Sequence, residues 1–388
     1  MRLKDVCTVF TDGDWIESKD QSEEGIRLVQ TGNIGEGIYL EKEERAKYIS
    51  EDTFERLKCT EIFPGDILVS RLPEPVGRAC IVPDKSERMI TAVDCTICRP
   101  DETIISKEYL CYFMRSNAYY TRLLGNVTGT TRKRISRKNL GNIELNIPTK
   151  DVQRAVVEQL DRLIKIIDSR IKEIYLLDDL IKARFVEMFG TLDSPTQEFR
   201  KATLKELCNK ITDGKHGGCK SEAGTERYFV GAREIYDDEV HYDTAAEINT
   251  EEFEKDYKRC NLEIGDFLIV NTGATIGKSA IASDERTEHT LLQKSVALLK
   301  VKQEVLNPIF LKWCYRVNKQ MYMVESASAQ PNLLLSKINA TVIYVPNIEL
   351  QNQFADFVKQ VDKSRVAVQK ALDETQLLFD SLMQKYFG

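Results

Sequence analysis

Two stretches of the chain, 149–189 and 347–386, contain neither glycine nor proline, and their apolar residues return at steps of three and four. In the first these are Val156, Leu160, Leu163, Ile167, Ile171, Ile174, Leu177, Ile181, Phe185 and Met188. In the second they are Phe354, Phe357, Val361, Val368, Leu372, Phe379, Leu382 and Tyr386. Such spacing puts a continuous apolar stripe on one helical face. It predicts two heptad-like helices of about 38–40 residues, ~57–60 Å long at the α-helical rise. Thr149 and Asn347 each follow a proline and are good N-caps, while Gly190 and Gly388 stand where a C′ glycine belongs. Elsewhere, in 1–148 and 202–346, the pattern changes to short β-type runs such as 25–30 and 279–282, broken by Gly, Asn, Asp and Pro. The run 89–98 also reads as one strand. Helical patterns interrupt at 108–124 and 308–324. The fold class expected is α/β (α+β), with mixed domains built on a curved, mostly antiparallel sheet.

This pattern is written twice. Leu3-Lys4-Asp5-Val6-Cys7 returns as Leu204-Lys205-Glu206-Leu207-Cys208, and Thr11-Asp12-Gly13 as Thr212-Asp213-Gly214. Pro64-Gly65-Asp66-Ile67-Leu68 is echoed by Ile264-Gly265-Asp266-Phe267-Leu268, Ile147-Pro148 by Val345-Pro346, and Phe189-Gly190 by Phe387-Gly388. The offset stays between 201 (Leu3 to Leu204) and 198 (Ile147 to Val345). A solenoid unit is only roughly 20–50 residues, so the repeat is of domain size. It implies a pseudo-dimer in one chain, and hence a target with two halves. The expected division is a domain at 1–148, a long helix at 149–190, a linker at 191–201, a second domain at 202–346 and a second long helix at 347–388. A pseudo-two-fold relation would make the two coiled-coil helices antiparallel.

At 388 residues, 42% hydrophobic and 30% charged, the chain has room for two or three soluble domains. Its longest apolar runs, such as Phe267-Leu268-Ile269-Val270, fall far short of a membrane span of about 20 residues. The opening Met-Arg-Leu-Lys-Asp lacks a signal-peptide core, so a cytoplasmic location is expected. Of ten cysteines only Cys95 and Cys98 form a C-x-x-C pair. On a strand, residues three apart face opposite ways, and His216, His241 and His289 are remote in sequence. Buried thiols are expected, with no metal. The net charge of −6 hides local polarity. Residues 112–150 carry Arg115, Arg122, Arg132, Lys133, Arg134, Arg137, Lys138 and Lys150 against Glu144 alone. Residues 305–346 carry Lys312, Arg316, Lys319 and Lys337 against Glu325 alone.

Catalytic motifs are broken. Gly273-Ala274-Thr275-Ile276-Gly277-Lys278-Ser279 has three residues between its glycines where a P-loop needs four, and its flanks read strand-turn-strand. Asn307-Pro308-Ile309-Phe310 lacks the second proline of the adenine-methyltransferase loop. Gly32-Asn33-Ile34-Gly35-Glu36-Gly37 has the wrong spacing for a dinucleotide fingerprint. No catalytic residue is assigned. Two loops read instead as nucleic-acid contacts. Thr130, Thr131, Arg132, Lys133, Arg134 and Lys138 combine small hydroxyls for phosphates with forked arginines suited to guanine edges. At the aligned place of the second copy, Gln330 and Asn332 offer amides suited to adenine. Lys215, His216, Asn271, Thr272 and Lys278 are further loop candidates. For helix and partner packing the candidates are Leu160, Leu163, Ile167, Ile174, Ile181, Phe357, Val361, Val368, Leu372 and Phe379.

The ordered set of Leu-Lys-Asp/Glu-x-Cys openings, Thr-Asp-Gly, Gln30-Thr31-Gly32-Asn33-Ile34, Pro64-Gly65-Asp66-Ile67-Leu68, Thr272-Gly273-Ala274-Thr275-Ile276-Gly277-Lys278 and the Ile-Pro or Val-Pro before each long helix resembles the specificity subunit of type I restriction-modification systems. The resemblance covers essentially the whole chain. It implies two target-recognition domains, each reading one half of a split DNA sequence, held apart by helices that dock two methyltransferase subunits. Adenine-N6 methylation from S-adenosylmethionine would reside in those partners. A motor/nuclease subunit would add cleavage dependent on ATP and Mg. No cofactor is expected in this chain. Copy one departs from the family pattern at Ser70-Arg71-Leu72-Pro73, where copy two keeps Thr-Gly-Ala-Thr. Gln153 and Gln351 stand near the helix starts without a preceding Glu. Two other readings stay open: a stand-alone DNA methyltransferase or ATPase, and a coiled-coil adaptor that does not bind DNA.

Overall fold

The computed structural model describes residues 1–129, 133–322 and 332–388. It divides into two compact units, 1–171 with 370–388 and 172–369. The division cuts each long helix near its middle, because each half of a helix belongs to a different core.

In unit 1 the strands Cys7–Asp12, Cys95–Pro100, Ile67–Ser70 and Ala79–Ile81 form an antiparallel sheet in that spatial order. A second sheet orders Tyr48–Ile49, Ile26–Val29, Met89–Thr91 and Glu61–Ile62, with one parallel pair at its centre. The run 89–98, expected as one strand, is therefore two strands in different sheets. A turn at Ala92-Val93-Asp94 separates them, closed by the Cys95 N–H on the Ala92 carbonyl at 2.8 Å. The residues just beyond Asp12 compete for this backbone and break the strand. Cys95 and Cys98 fall in different cores, and burial pushes the Cys95 thiol up to about 12. The helical pattern at 108–124 also splits, into Lys107–Phe113 and Asn117–Leu124. Ser116 causes the break: its hydroxyl donates to the Phe113 carbonyl and accepts from the Tyr119 N–H, capping a new helix.

Unit 2 repeats the first sheet strand for strand, as Cys208–Asp213, Val296–Val301, Phe267–Val270 and Ser279–Ile281. Even the irregularity between Cys7 and Val9 recurs between Cys208 and Lys210. The loop joining the last two strands leads from strand to strand, so no helix N-terminus follows Gly277-Lys278. A second sheet orders Ala246–Glu247, Tyr228–Val230 and Thr290–Leu292, again with one parallel pair. The helix at 308–324 is Pro308–Val317 and then a short turn at Lys319–Met321, its last two positions lying outside the described residues. The segment 191–201 is folded: Leu192 and Phe199 pack on the core, and Arg200–Thr203 pairs with Val342–Val345.

The long helices are Lys150–Phe189 and Ile348–Phe387. Asn347 caps the second, its side chain accepting from the Leu350 N–H at 2.8 Å. In unit 1 Leu160 and Leu163 share a core with Phe379, Met383 and Phe387, and Tyr386 donates to Gln159 Oε1. In unit 2 Ile181 and Phe185 share a core with Phe354 and Val361, and Arg365 Nη2 lies 3.3 Å from Asp178 Oδ1. Since Phe185 meets Phe354 while Asp178 meets Arg365, the helices run antiparallel. Of the remaining stripe residues, Val368 is buried and Ile167, Ile174, Phe357 and Leu372 are half-buried, whereas Ile171 is exposed.

Each long helix is tied to its domain by a buried glutamine. Gln153 Oε1 accepts from the Ser106 N–H at 2.9 Å, and its Nε2 donates to the Ile104 and Pro148 carbonyls. Gln351 repeats this with the Asn307 N–H and the Val305 and Pro346 carbonyls.

Candidate nucleic-acid interface

The competition that splits 89–98 builds the site. Beyond Asp12 the chain stays bonded to both strands: the Gly13 N–H to the Cys95 carbonyl at 2.9 Å, and the Asp14 N–H to the Thr91 carbonyl at 2.8 Å. Gly214 and Lys215 do the same with Val296 and Leu292. A Cβ on Gly13 would stand 2.3 Å from the Thr91 carbonyl oxygen, and on Gly214 2.1 Å from that of Leu292, so only glycine permits this approach. Two further segments join. The Arg71 N–H donates to the Asp94 carbonyl and the Arg71 carbonyl accepts from Ile135. Asn271 makes the equivalent bonds with Ser295 and Leu333. Each unit thus gathers four segments at one end of its sheet by main-chain bonds alone.

The side chains on these two frames differ. In unit 1 Arg71 is buried, donates to the Val93 carbonyl at 2.6 Å and lies 3.3 Å from Asp12 Oδ1. Burial draws its pKa below the usual arginine value. Arg134 pairs with Asp94 at 2.8 Å, while Arg137 reaches Thr11 Oγ1 at 3.3 Å and Asp12 at 3.8 Å. Lys133 and Lys138 are exposed beside them in sequence. Asp14 turns away to accept from the Thr60 N–H, and burial raises its carboxyl pKa. The group therefore sets five cations (Arg71, Lys133, Arg134, Arg137, Lys138) against Asp12 and Asp94.

In unit 2 the same place is a polar cleft of about 410 Å³ lined by Lys215, Gly217, Thr272, Gln293, Lys294, Ser295 and Asn332. The Thr272 hydroxyl sits 3.3 Å from Asn332 Oδ1 and 3.3 Å from Asn271 Oδ1. The Lys215 ammonium is held by Asp256 at 2.7 Å and Glu252 at 3.2 Å, which raise its pKa and offset its charge. His216 is more than half exposed, with Nε2 3.5 Å from Asp213.

Lys215, Asn271, Thr272 and Asn332 are thus brought together in unit 2, and Lys133, Arg134 and Lys138 lie along one segment in unit 1. Lys278 stands apart, lining a second cleft of unit 2 with Tyr236, Asp238, Arg316 and Arg365. Thr130, Thr131, Arg132 and Gln330 lie outside the described residues. Sequence reasoning missed Arg71, Asp94 and the triplet Gln293-Lys294-Ser295, and it counted Arg137 only within the basic run 112–150. The triplet's signal was available, as a polar interruption between two apolar runs. Among the described residues no group of three or more His, Cys, Asp or Glu side chains is placed to hold a metal.

The type I restriction modification DNA specificity domain model matches this chain twice, at residues 1–175 and 196–375. The class is thereby defined as a protein of two DNA specificity domains. The chain belongs to the type I restriction modification DNA specificity domain family. It is 23% identical over 304 residues to the type I restriction enzyme EcoBI specificity subunit of Escherichia coli, covering 69% of this chain and 63% of that one. The match therefore spans less than two thirds of the length of that relative. With the EcoKI specificity subunit of Escherichia coli strain K12 the identity is 19% over 315 residues, covering 76% and 67%. Among solved structures, a chain from a type I R-M system described for its complex assembly and conformational transition aligns over 100% of this chain and 96% of its own. The TM-score is 0.63 at 16% identity. The type I restriction-modification S subunit from M. genitalium aligns over 100% and 95%, with TM-score 0.53 at 15% identity. These likenesses show the fold.

Proposed function

We propose that the chain is the DNA sequence-recognition subunit of a type I restriction-modification complex. It reads a bipartite duplex, one half per unit, and scaffolds two methyltransferase subunits and a motor/nuclease subunit. The carrying observation is the four-segment frame, formed twice from the same main-chain bonds and filled with different side chains. Apart from its glycine the frame does not depend on which side chains it carries, and this leaves them free to specify bases. Unit 1 offers guanidinium forks, which suit guanine O6 and N7. Unit 2 offers amides and hydroxyls, which suit adenine N6 and N7. Exposed lysines at the first frame supply phosphate contacts, which position the duplex without reading it. Methylation from S-adenosylmethionine, and any cleavage driven by ATP and Mg, belong to the partners. A cytoplasmic location goes with this reading, and among the described residues no helix is long and apolar enough to cross a membrane.

The test is to map methylated adenines in a host carrying the chain with its partners. Arg134→Ala together with Arg137→Ala should relax the bases of one half of the motif, by about 1–3 kcal/mol per lost bidentate contact, and leave the other half intact. Unchanged methylation at every genomic site would overturn the proposal.

A further inference from the structure

The chain has two tryptophans, and the structure treats them oppositely. Trp313 is 3% exposed and packs edge-on against Phe354, whereas Trp15 is 70% exposed. Tryptophan is normally well buried, and an indole left in water is a common mark of a binding surface. The position of Trp15 says which surface. It follows Asp14, the residue bonded to Thr91 in the frame of unit 1. His216 follows Lys215 in the equivalent frame of unit 2 and is likewise exposed. Both units therefore present a planar ring at the same point, one residue beyond the Gly-stitched loop.

The charge of the frame that Trp15 follows favours a polyanion. Its neighbouring carboxylates are all engaged: Asp12 beside Arg71 and Arg137, Asp14 on the Thr60 N–H, and Glu17 with Lys19 at 2.8 Å and with the Trp15 indole N–H, which donates to it at 3.4 Å and leaves the ring face open. The cations of the same frame outnumber them. An aromatic ring beside such a rim can lie against the sugars and base edges of DNA or press into a base step, contacts that every sequence offers.

We infer that Trp15 is a DNA-contacting ring for the half-site under unit 1, and that His216 is its smaller counterpart in unit 2. The inference rests on the DNA-reading function proposed above. It adds an apolar contact to sites otherwise built from charge and hydrogen bonds.

The experiment uses the full-length chain, purified with the subunits that accompany it, and duplexes selected from a random 40-base-pair pool. With a selected duplex, the indole emission of the wild-type preparation should change, and the change should vanish in Trp15→Phe. Trp15→Ala should weaken binding about tenfold, the worth of one stacked ring, without altering the thermal melt. Equal binding by Trp15→Ala, or an emission change that persists in Trp15→Phe, overturns the inference while leaving the DNA-reading function standing. A Trp15→Ala chain that loses a co-purifying protein but still binds duplex gives the ring to a protein surface instead, and also overturns it. If the wild-type preparation enriches no duplex, both readings fall.

Discussion

At the third strand's end, unit 1 places Arg71 and unit 2 places Asn271, and both give their N–H to the turn opposite and their carbonyl to the segment behind. At the stitched loop Asp14 answers to Lys215, a full reversal of charge, yet both donate the same bond to the second sheet. On the turn, Asp94 answers to Ser295. The two glutamines at the helix starts behave differently, for Gln153 and Gln351 are identical and make the same three bonds. The contrast has a simple cause. Where the main chain satisfies itself, the side chain is free to change. Where a side chain satisfies three main-chain groups, few residues can replace it.

The largest effects should come from the glutamines. Gln153→Leu and Gln351→Leu would each leave one N–H and two carbonyls without partners in a largely part-buried setting. A cost of about 3–5 kcal/mol is expected for each, similar in the two units. Urea denaturation followed by hydrogen exchange would assign each loss to its own unit, which a single melting curve of a two-unit chain would not. If one variant were harmless and the other severe, the claimed equivalence of the units would fail at its strongest point.

A smaller and unequal effect is expected at Arg115 and Arg316, which occupy matching places after the helices Lys107–Phe113 and within Pro308–Val317. Arg316 bridges Asp178 on the long helix, at 2.8 Å, and Asp238 in the turn between the paired strands Ile235–Tyr236 and Glu239–Val240, and lies 4.5 Å over the Trp313 ring. Arg115 instead lies over the rings of Tyr112 and Phe379, at 5.4 and 5.6 Å. Arg316→Ala should cost about 1–2 kcal/mol, and the cost should shrink as salt is raised. Arg115→Ala should cost about 0.5–1 kcal/mol and respond little to salt. Equal salt responses in the two variants would mean that the two clasps do not differ as drawn.

The long helices were legible because a stripe at steps of three and four over forty positions leaves one regular solution. The paired domains were legible because the repeat carried the turns that begin and end them. The turn at Ala92-Val93-Asp94 was not, since Ala92 and Val93 continue an apolar run and the break is imposed by Gly13 from a distant part of the chain. The helix break at Ser116 was legible in principle, because serine before Asn117 is a cap, but the apolar pattern runs through it. Half of the candidate site followed the same logic. Arg134, Thr272 and Asn332 were found by residue type and reach the frames, whereas Lys278, of equally suitable type, lies on a different cleft of unit 2. Nothing local to Lys215 reveals that Glu252 and Asp256, some forty residues on, hold its charge.

That last point yields the smallest effect and the finest test of the comparison. If Lys133 and Lys138 neutralise phosphates, replacing either by alanine should lower the slope of log K against log salt by about 1 and weaken binding for all sequences alike. Lys215→Ala should leave the slope unchanged, because an ammonium already held by two carboxylates displaces no counterions from DNA. Any loss of affinity there would come from a loosened loop and would be the same at low and high salt. The measurement is duplex binding at several salt concentrations by the wild type and the three variants. A slope that falls by about 1 in Lys215→Ala would mean that unit 2 opens its ion pairs on binding. Both units would then grip phosphates in the same way, and their difference would be confined to the bases they read.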